Sequence, residues 1–123
     1  MSGAATFGWR AGCEEMDVYH IWCDLKDGRE DKAFAAAVAA YLDHHKAGGR
    51  IESWRLQRRK LGLGPDGLGE FHVMIETKDL GQLEKAFKAA AERSGEVEKL
   101  HAAVYSRVTN AKFGLTRDFP DRL

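Results

Sequence analysis

The sequence lacks several features that would assign a function directly. Its 19 basic residues are balanced by 19 acidic ones, so the chain has no net charge that would attract nucleic acid or an anionic membrane over a long distance. It also lacks the ~18 consecutive apolar residues that a membrane-spanning helix needs. We therefore expect neither nucleic acid nor a membrane among its partners.

Cysteine is scarce, and no histidine spacing indicates a metal site. Cys13 and Cys23 form no CxxC pair, and we expect Cys23 to be a buried reduced thiol rather than a reactive one, which favours a cytoplasmic location. No HExxH motif is present, so we expect no metal and no cofactor. We interpret the adjacent His44 and His45 as helix-end residues without a functional role, favoured there by the negative carboxyl end of the helix.

The first 15 residues show no regular pattern. They lack the basic start and the apolar run of ~7–15 residues that a signal peptide has. We predict a flexible extension over residues 1–15, with Met16 as a second candidate start, and a single domain over residues 16–123. A chain of this length is enough for one hydrophobic core.

Four stretches alternate apolar and polar residues with the period of a β-strand. The first is Asp17–Leu25, and its two faces carry, respectively, Tyr19, Ile21 and Cys23, and His20, Trp22 and Asp24. The other three lie in "RIESWRLQRRKLG", "EFHVMIETK" and "AKFGLTRDF".

Helical spacing fills the gaps between these strands. A long helix is predicted in "DGREDKAFAAAVAAYLDHHKAGG", with a capping-box-like start at Asp27 and Glu30 and a stop at the two glycines. Asp79 with Gln82 three residues later predicts the start of a second helix, "DLGQLEKAFKAAAERSG". Ser94 is predicted to cap a third, whose apolar positions run to residue 108.

The order strand, helix, strand, strand, helix, helix, strand is the split βαβ pattern of a ferredoxin-like α+β sandwich. Right-handed crossovers place the first strand between the third and the fourth, and the helices cover only one face of the sheet. The uncovered face is then lined by His20, Trp22, Asp24, Ser53, Arg55, Gln57, His72, Met74 and Glu76. Because Trp22 and Met74 would otherwise lie in water, we predict a homodimer through this face.

Four segments carry a resemblance to a known family. They are "YHIWCDLKDG", "AYLDHHKAGGRIESWRLQRRKLGLGP", "GEFHVMIETKDL" and "YSRVTNAKFGLTRDFPD". Over residues 16 to 121 they resemble an uncharacterised family of small bacterial proteins in the dimeric α/β-barrel superfamily. A more remote likeness is to the REDY-like proteins encoded beside prodigiosin biosynthesis genes.

The resemblance implies two sheets packed face to face in a homodimer, with the helices outside. The superfamily includes cofactor-independent monooxygenases, lactone isomerases, polyketide cyclases, haem-degrading enzymes and stress-responsive proteins. It therefore implies a small-molecule binding protein or a cofactor-independent enzyme acting on a hydrophobic compound, of an aromatic or polyketide-like kind. The alternative is a non-enzymatic dimeric module that acts in stress response or docks to another protein, and whether the chain is an enzyme stays open.

His20 and His72 are the central candidates for catalysis. If they fall at equivalent points of neighbouring strands, their Cβ atoms approach to ~5 Å. With Asp24 or Glu76 beside them they would share a proton or orient a ligand, because a carboxylate fixes an imidazole tautomer and raises its pKa. Burial without a carboxylate would lower that pKa instead, and a structural polar cluster at the dimer interface is the alternative interpretation.

Two positions for a ligand pocket are open at this stage. The first, on the barrel side, would use the residues of the uncovered face, with Trp22, Arg55 and Met74 as ligand contacts. The second, between sheet and helices, would be lined by Tyr19, Tyr41, Phe71 and Tyr105.

Two further patterns suggest functions that we do not expect. "GLGPDG" at residues 62 to 67 matches GxGxxG, but a dinucleotide site needs a helix after the glycines, and here a strand follows. "RLQRRK" at residues 55 to 60 is the only basic run, and we interpret it as a solvated or salt-bridged strand edge, with anion binding as the alternative.

Overall fold

The computed structural model describes residues 15–120. The elements in this range are β1 (Asp17–Leu25), α1 (Asp31–Ala47), β2 (Ser53–Arg58), β3 (Phe71–Thr77), α2 (Leu80–Ala90), α3 (Gly95–Tyr105) and β4 (Val108–Arg117). The strands form one antiparallel sheet in the order β2-β3-β1-β4. The ferredoxin-like prediction is confirmed, including the position of β1 between β3 and β4. The predicted extension, with Cys13, lies outside the described residues except at its last position.

Two of the predicted helix starts, Asp79 and Asp27, differ in the hydrogen bonds that their side chains accept. At α2 the Asp79 carboxylate accepts the Gln82 backbone N–H at 2.8 Å, and the Gln82 side chain accepts the Lys78 N–H at 2.7 Å. Asp27, by contrast, accepts from the Arg29 N–H and caps a short 3-10 turn, Gly28–Glu30, that precedes α1. The predicted start of the second helix at Asp79 is therefore confirmed. Asp27, the predicted capping-box-like start of the first helix, instead caps the short turn before α1.

β4 begins three residues before the predicted strand, and Val108 belongs to β4 rather than to α3. Its pairing with β1 shifts register between Trp22 and Asp24, and Asn110 there has a left-handed φ of 54°. A bulge of this kind adds one residue to the strand and breaks its alternation. The period of two therefore becomes visible only from residue 111 onward.

The core lies between the sheet and the helices. Phe34, Val38 and Leu42 of α1 are at most 2% exposed and pack on the helix-facing side of β1 and β3. Cys23 belongs to this core, and its thiol is free and buried, with burial as the main cause that raises its pKa to about 11. The prediction of a buried reduced thiol is confirmed.

Candidate functional site

A cavity of about 330 Å³ lies between the helices and the sheet, beside the core. We call it the inter-layer cavity, and its walls are formed by Tyr19, Ile21, Tyr41, Leu42, His45, Ile51, Ile75, Leu83, Ala86, Phe87, Ala90, His101, Val104 and Phe113. A neighbouring chamber of about 190 Å³ shares seven of these residues and also touches Phe34 and Tyr105. Three of the predicted ligand contacts, Tyr19, Tyr41 and Tyr105, thus line connected or adjacent space on the helix side of the sheet.

Aromatic rings supply most of the polar atoms of these walls. The Tyr41 ring stacks on His101 with centroids 4.9 Å apart, and His101 meets Tyr105 edge to face at 4.9 Å. Burial is the main cause that raises the pKa of Tyr41 to about 12, and it raises that of Tyr19 as well. Both phenols therefore stay protonated near neutral pH and can donate or accept a hydrogen bond.

The cavity reaches solvent beside two aromatic rings. Phe87 and Phe113 line it and are 45% and 62% exposed. The Tyr19 ring lies between them, 5.1 Å from the Phe87 centroid and 6.1 Å from that of Phe113. Access to the cavity is therefore framed by three rings from β1, α2 and β4.

His45 has a different environment from the one expected of a helix-end residue. Its side chain is 1% exposed and lies on the cavity wall. The Arg50 guanidinium donates from Nε to His45 Nδ1 at 2.8 Å, while Nε2 has no hydrogen-bond partner among the described residues. Burial, and then the charge of Arg50, lower the pKa of His45 to about 4. The sequence-based interpretation of His45 as a helix-end residue without a functional role missed that its ring is buried, with only one of its two nitrogens hydrogen-bonded.

His20, Trp22, His72 and Thr116 form a cluster on the opposite, uncovered face, which we call the open-face cluster. The Trp22 ring stacks on His72 at 4.6 Å and on His20 at 5.2 Å. His20 Nδ1 lies 2.9 Å from His72 Nε2, and His20 Nε2 lies 2.8 Å from Thr116 Oγ1. His72, His20 and Thr116 are thus linked by two hydrogen bonds. A proton can pass along them in either direction, because each imidazole nitrogen serves as donor or acceptor according to its tautomer.

The register of the two histidines differs from the assumed one. His20 pairs with Met74, and Trp22 pairs with His72, so the histidines are diagonal neighbours rather than direct partners. They still meet because diagonal positions on one face are within reach of ring side chains. The predicted contact is present, and the assumed register was wrong by two residues.

The two candidate carboxylates have other hydrogen-bond partners. Asp24 accepts the Glu70 backbone N–H at 2.8 Å and the Asn110 amide at 3.1 Å, bonds that lower its pKa. The Ser53 hydroxyl donates to Glu76. Burial lowers the pKa of His20, and burial and then His20 lower that of His72. The sequence left open whether a carboxylate raises the pKa of these histidines or burial lowers it, and the structure favours lowering by burial.

The remaining barrel-side ligand candidates, Arg55 and Met74, do not line the inter-layer cavity or its neighbouring chamber. Arg55 is exposed on β2 and pairs with Met74, which is half-buried. A shallow pocket of about 170 Å³ lies instead where the loop after β2 meets the sheet. It is lined by Trp22, Gln57, Arg58, Arg59, Leu63, Gly64, Pro65, Gly69, Glu70 and His72.

The basic run and the glycine motif have the structural roles that the sequence favoured. Arg58 forms salt bridges with Glu70 at 2.7 Å and Asp31 at 3.2 Å, and Arg59 donates to main-chain carbonyls of the loop, including that of Gly69. "GLGPDG" lies in this loop and is followed by β3. Gly69 is required because a Cβ there would lie 2.8 Å from the Cα of Cys23. The salt bridges of Arg58 at the strand edge and the strand that follows the glycines agree with the sequence-based interpretation.

Two negative findings concern residues 15–120. No group of three or more histidine, cysteine or acidic residues is placed to hold a metal ion. No helix in this part of the chain is long and apolar enough to cross a membrane.

A protein-family model described as "Family of unknown function (DUF6614)" matches residues 16–123. No curated protein matches the chain. Among solved structures, a mutant of SnoaB, a cofactor-independent oxygenase from Streptomyces nogalater, is similar with a TM-score of 0.59 and 12% identity over 89% of this chain and 100% of that one.

Two other similar structures are described as dimeric ferredoxin-like proteins. One, of unknown function and from Jannaschia sp. CCS1, has a TM-score of 0.58 and 10% identity over 83% of this chain and 96% of its own. The other, from an uncultured marine organism, has a TM-score of 0.54 and 18% identity over 85% and 94%. Likenesses at these identities show a shared fold.

Proposed function

This chain belongs to the DUF6614 family, whose function is unknown, and we propose that it binds a hydrophobic small molecule in the inter-layer cavity. The observation that carries the proposal is the cavity itself. Its volume of about 330 Å³ falls in the range of small-molecule sites, which start near ~300 Å³. A few phenol and imidazole groups among apolar walls are also typical of such sites.

A cofactor-independent reaction is the more specific form of this proposal. SnoaB, which has the same fold, is described as a cofactor-independent oxygenase. In this chain Tyr19, Tyr41 and His101 could hydrogen-bond an oxygen of an aromatic or polyketide-like compound inside an apolar space. The remote likeness to REDY-like proteins is compatible with a compound of this class. The buried reduced thiol of Cys23 supports a cytoplasmic location for the reaction.

A cavity-filling variant tests the binding proposal. Ala90 lines the cavity, so Ala90→Leu should occupy part of it, whereas Ala40→Leu adds the same methyl groups at an exposed position of α1. We expect tetralin, a bicyclic hydrocarbon, to bind the wild type and Ala40→Leu equally, and Ala90→Leu about tenfold more weakly, as overpacking of 1–3 kcal/mol implies. Calorimetric titration measures the three affinities. Absence of tetralin binding, or equal binding by all three proteins, would contradict the proposal.

We further propose that the chain forms a homodimer through the open sheet face. The dimeric structures with this fold support the proposal, as does the mixture of aromatic, apolar and charged groups on that face. Contrary to the sequence-based expectation, Trp22 does not lie fully in water in one protomer, because stacking on His72 and packing on Gly114 leave it half-buried. In sedimentation at micromolar concentration we expect a dimer that Met74→Asp weakens and Leu80→Asp, on the helix side, does not. A monomeric wild type would overturn the proposal.

A docking module is the second candidate function. Four large apolar side chains, Leu80, Phe87, Phe113 and Leu115, are between 45% and 62% exposed on the helix side of the sheet. Exposed apolar clusters of this kind are also found where a protein binds a partner. The tetralin titration separates the two functions. If the protein only docks a partner, we expect no difference in tetralin affinity between the wild type and Ala90→Leu.

A further inference from the structure

The hydrogen bond from Arg50 defines the state of the His45 ring. A guanidinium is always protonated and only donates, so His45 Nδ1, 2.8 Å from Arg50 Nε, has to be an acceptor. A neutral imidazole that accepts at Nδ1 carries its hydrogen on Nε2. His45 therefore presents a fixed N–H donor, and Arg50 acts as a positioning residue that selects the tautomer.

This N–H donor is buried and has no acceptor. His45 is 1% exposed, and its Nε2 has no hydrogen-bond partner among residues 15–120. Its nearest aromatic neighbour is Tyr41, whose ring lies edge to face with it at 4.7 Å. Buried polar groups are almost always paired, so an unpaired one on a cavity wall indicates a missing partner.

From this geometry we propose that His45 Nε2–H is the recognition donor of the inter-layer cavity, and that it binds a carbonyl or enolate-type oxygen of an otherwise hydrophobic, cyclic ligand. The inference rests on the proposed function, because it names the class of compound that the same cavity takes. It adds a residue and a specificity: a ring ketone or a related oxygen compound is bound in preference to the hydrocarbon of the same shape.

The charges around the cavity support an oxygen acceptor over other polar groups. No aspartate, glutamate, lysine or arginine lines it, so neither an amine nor a dianionic group would find a counter-charge there. The positive charge of Arg50 lies behind the ring, on the Nδ1 side. It favours electron-rich oxygen at Nε2 and opposes a cationic ligand.

The low pKa of His45 keeps its Nε2–H donor unchanged over the ordinary pH range. His44, His101 and Arg50 are the groups whose charges act on the ring, and all three oppose its protonation in addition to burial. Since the pKa is held near 4, the ring stays neutral at ordinary pH. The ligand then meets one donor in one tautomer, without a buried imidazolium.

A comparison of two ligands with two variants tests the inference. The probes are 1-tetralone and tetralin, which differ by one carbonyl group in place of a methylene. A carbonyl loses water on entering a cavity, so the quantity to measure is the ratio of the two affinities, not either one alone. We expect His45→Phe to shift this ratio toward tetralin by about fivefold or more, the value of one buried hydrogen bond. Arg50→Met should shift the ratio in the same direction and by less, since it frees the tautomer but keeps the ring.

The outcomes separate this inference from the proposed function. If wild type and His45→Phe bind tetralin but have the same ratio, the donor assignment is wrong and the cavity still binds hydrocarbons. If neither compound binds the wild type, the cavity proposal fails and the donor assignment fails with it. An NMR measurement on the wild type alone covers a variant that does not fold: the His45 Nε2–H signal should move downfield with 1-tetralone, as hydrogen bonding to a carbonyl requires, whereas tetralin acts on it only through its ring current. An equal downfield shift with both compounds would overturn the assignment.

Discussion

At the residue scale, His45 is expected to make stability depend on pH. Its pKa is about 4 in the folded chain, against 6.5 for an ordinary histidine. Between these values the unfolded chain binds a proton that the folded chain does not, so its contribution is fully present above pH ~6.5 and is lost as the pH falls toward ~4. Chemical unfolding at pH 7.5 and 4.5 should show a loss of free energy that is on the order of 2 kcal/mol larger in the wild type than in His45→Phe.

The two proteins have to be compared at one protomer concentration, because a dimer gains stability by mass action. The His45→Phe variant keeps the other four histidines, so the difference between the two proteins reports on His45. An equal loss in the wild type and in His45→Phe would show that His45 is not buried as a neutral ring.

The open-face cluster gives a second prediction at this scale. His20→Phe keeps a ring beside Trp22 and keeps His72 covered, but it removes the charge that opposes protonation of His72. We expect the pKa of His72 to rise toward its ordinary value and to remain below it, since burial is the larger cause. NMR titration of the ring protons measures this. A His72 pKa above 6.5 in either protein would contradict this expectation, because burial and a neighbouring histidine both lower it.

Sequence patterns identified some of these residues and missed others for physical reasons. The contact of His20 with His72 follows from alternation on neighbouring strands, which survives an error of register. The hydrogen bonds of Asp24 depend on where the loop before β3 returns to the sheet, and alternation carries no information on that. His45 could have been found, because it continues the stripe of Phe34, Val38 and Leu42 by three residues.

At the element scale, the two helix starts on the C-terminal half offer a matched pair of substitutions. Asp79 caps α2 through a hydrogen bond to the Gln82 N–H, whereas Ser94 precedes α3 without a side-chain bond to it. We expect Asp79→Ala to lower the free energy of unfolding by about 1 kcal/mol and Ser94→Ala by a few tenths at most. Thermal or chemical unfolding measures both, and a larger loss for Ser94→Ala would contradict the assigned caps.

The existence and order of the elements were predictable, because amphipathic periods of two and 3.6 residues are dictated by burial on one face. Their ends were less so. The start of β4 was predicted three residues too late, because the bulge at Asn110 interrupts the alternation of the strand. The start of α1 was predicted too early, because Asp27 caps a 3-10 turn that precedes the helix. The first error comes from the left-handed backbone of Asn110 at the bulge. The second comes from the Asp27 side chain, which bonds locally to the Arg29 N–H.

At the scale of the whole molecule, the fold separates two kinds of surface on one sheet. The helix side of β1 carries Tyr19 at the inter-layer cavity, and its other side carries His20 in the open-face cluster. The alternation of the strand predicts this separation. The alternation does not predict the cavity, because the empty volume depends on small side chains, such as those of Ala86 and Ala90 on α2, at the positions that face the sheet.

The location of a bound hydrocarbon tests this division most directly. We would measure intermolecular NOEs between tetralin and the methyl groups of the isotope-labelled wild-type protein. We expect contacts to Ile21, Leu83 and Val104, which line the inter-layer cavity. Contacts to the Met74 methyl on the open face, without any to these three residues, would contradict it.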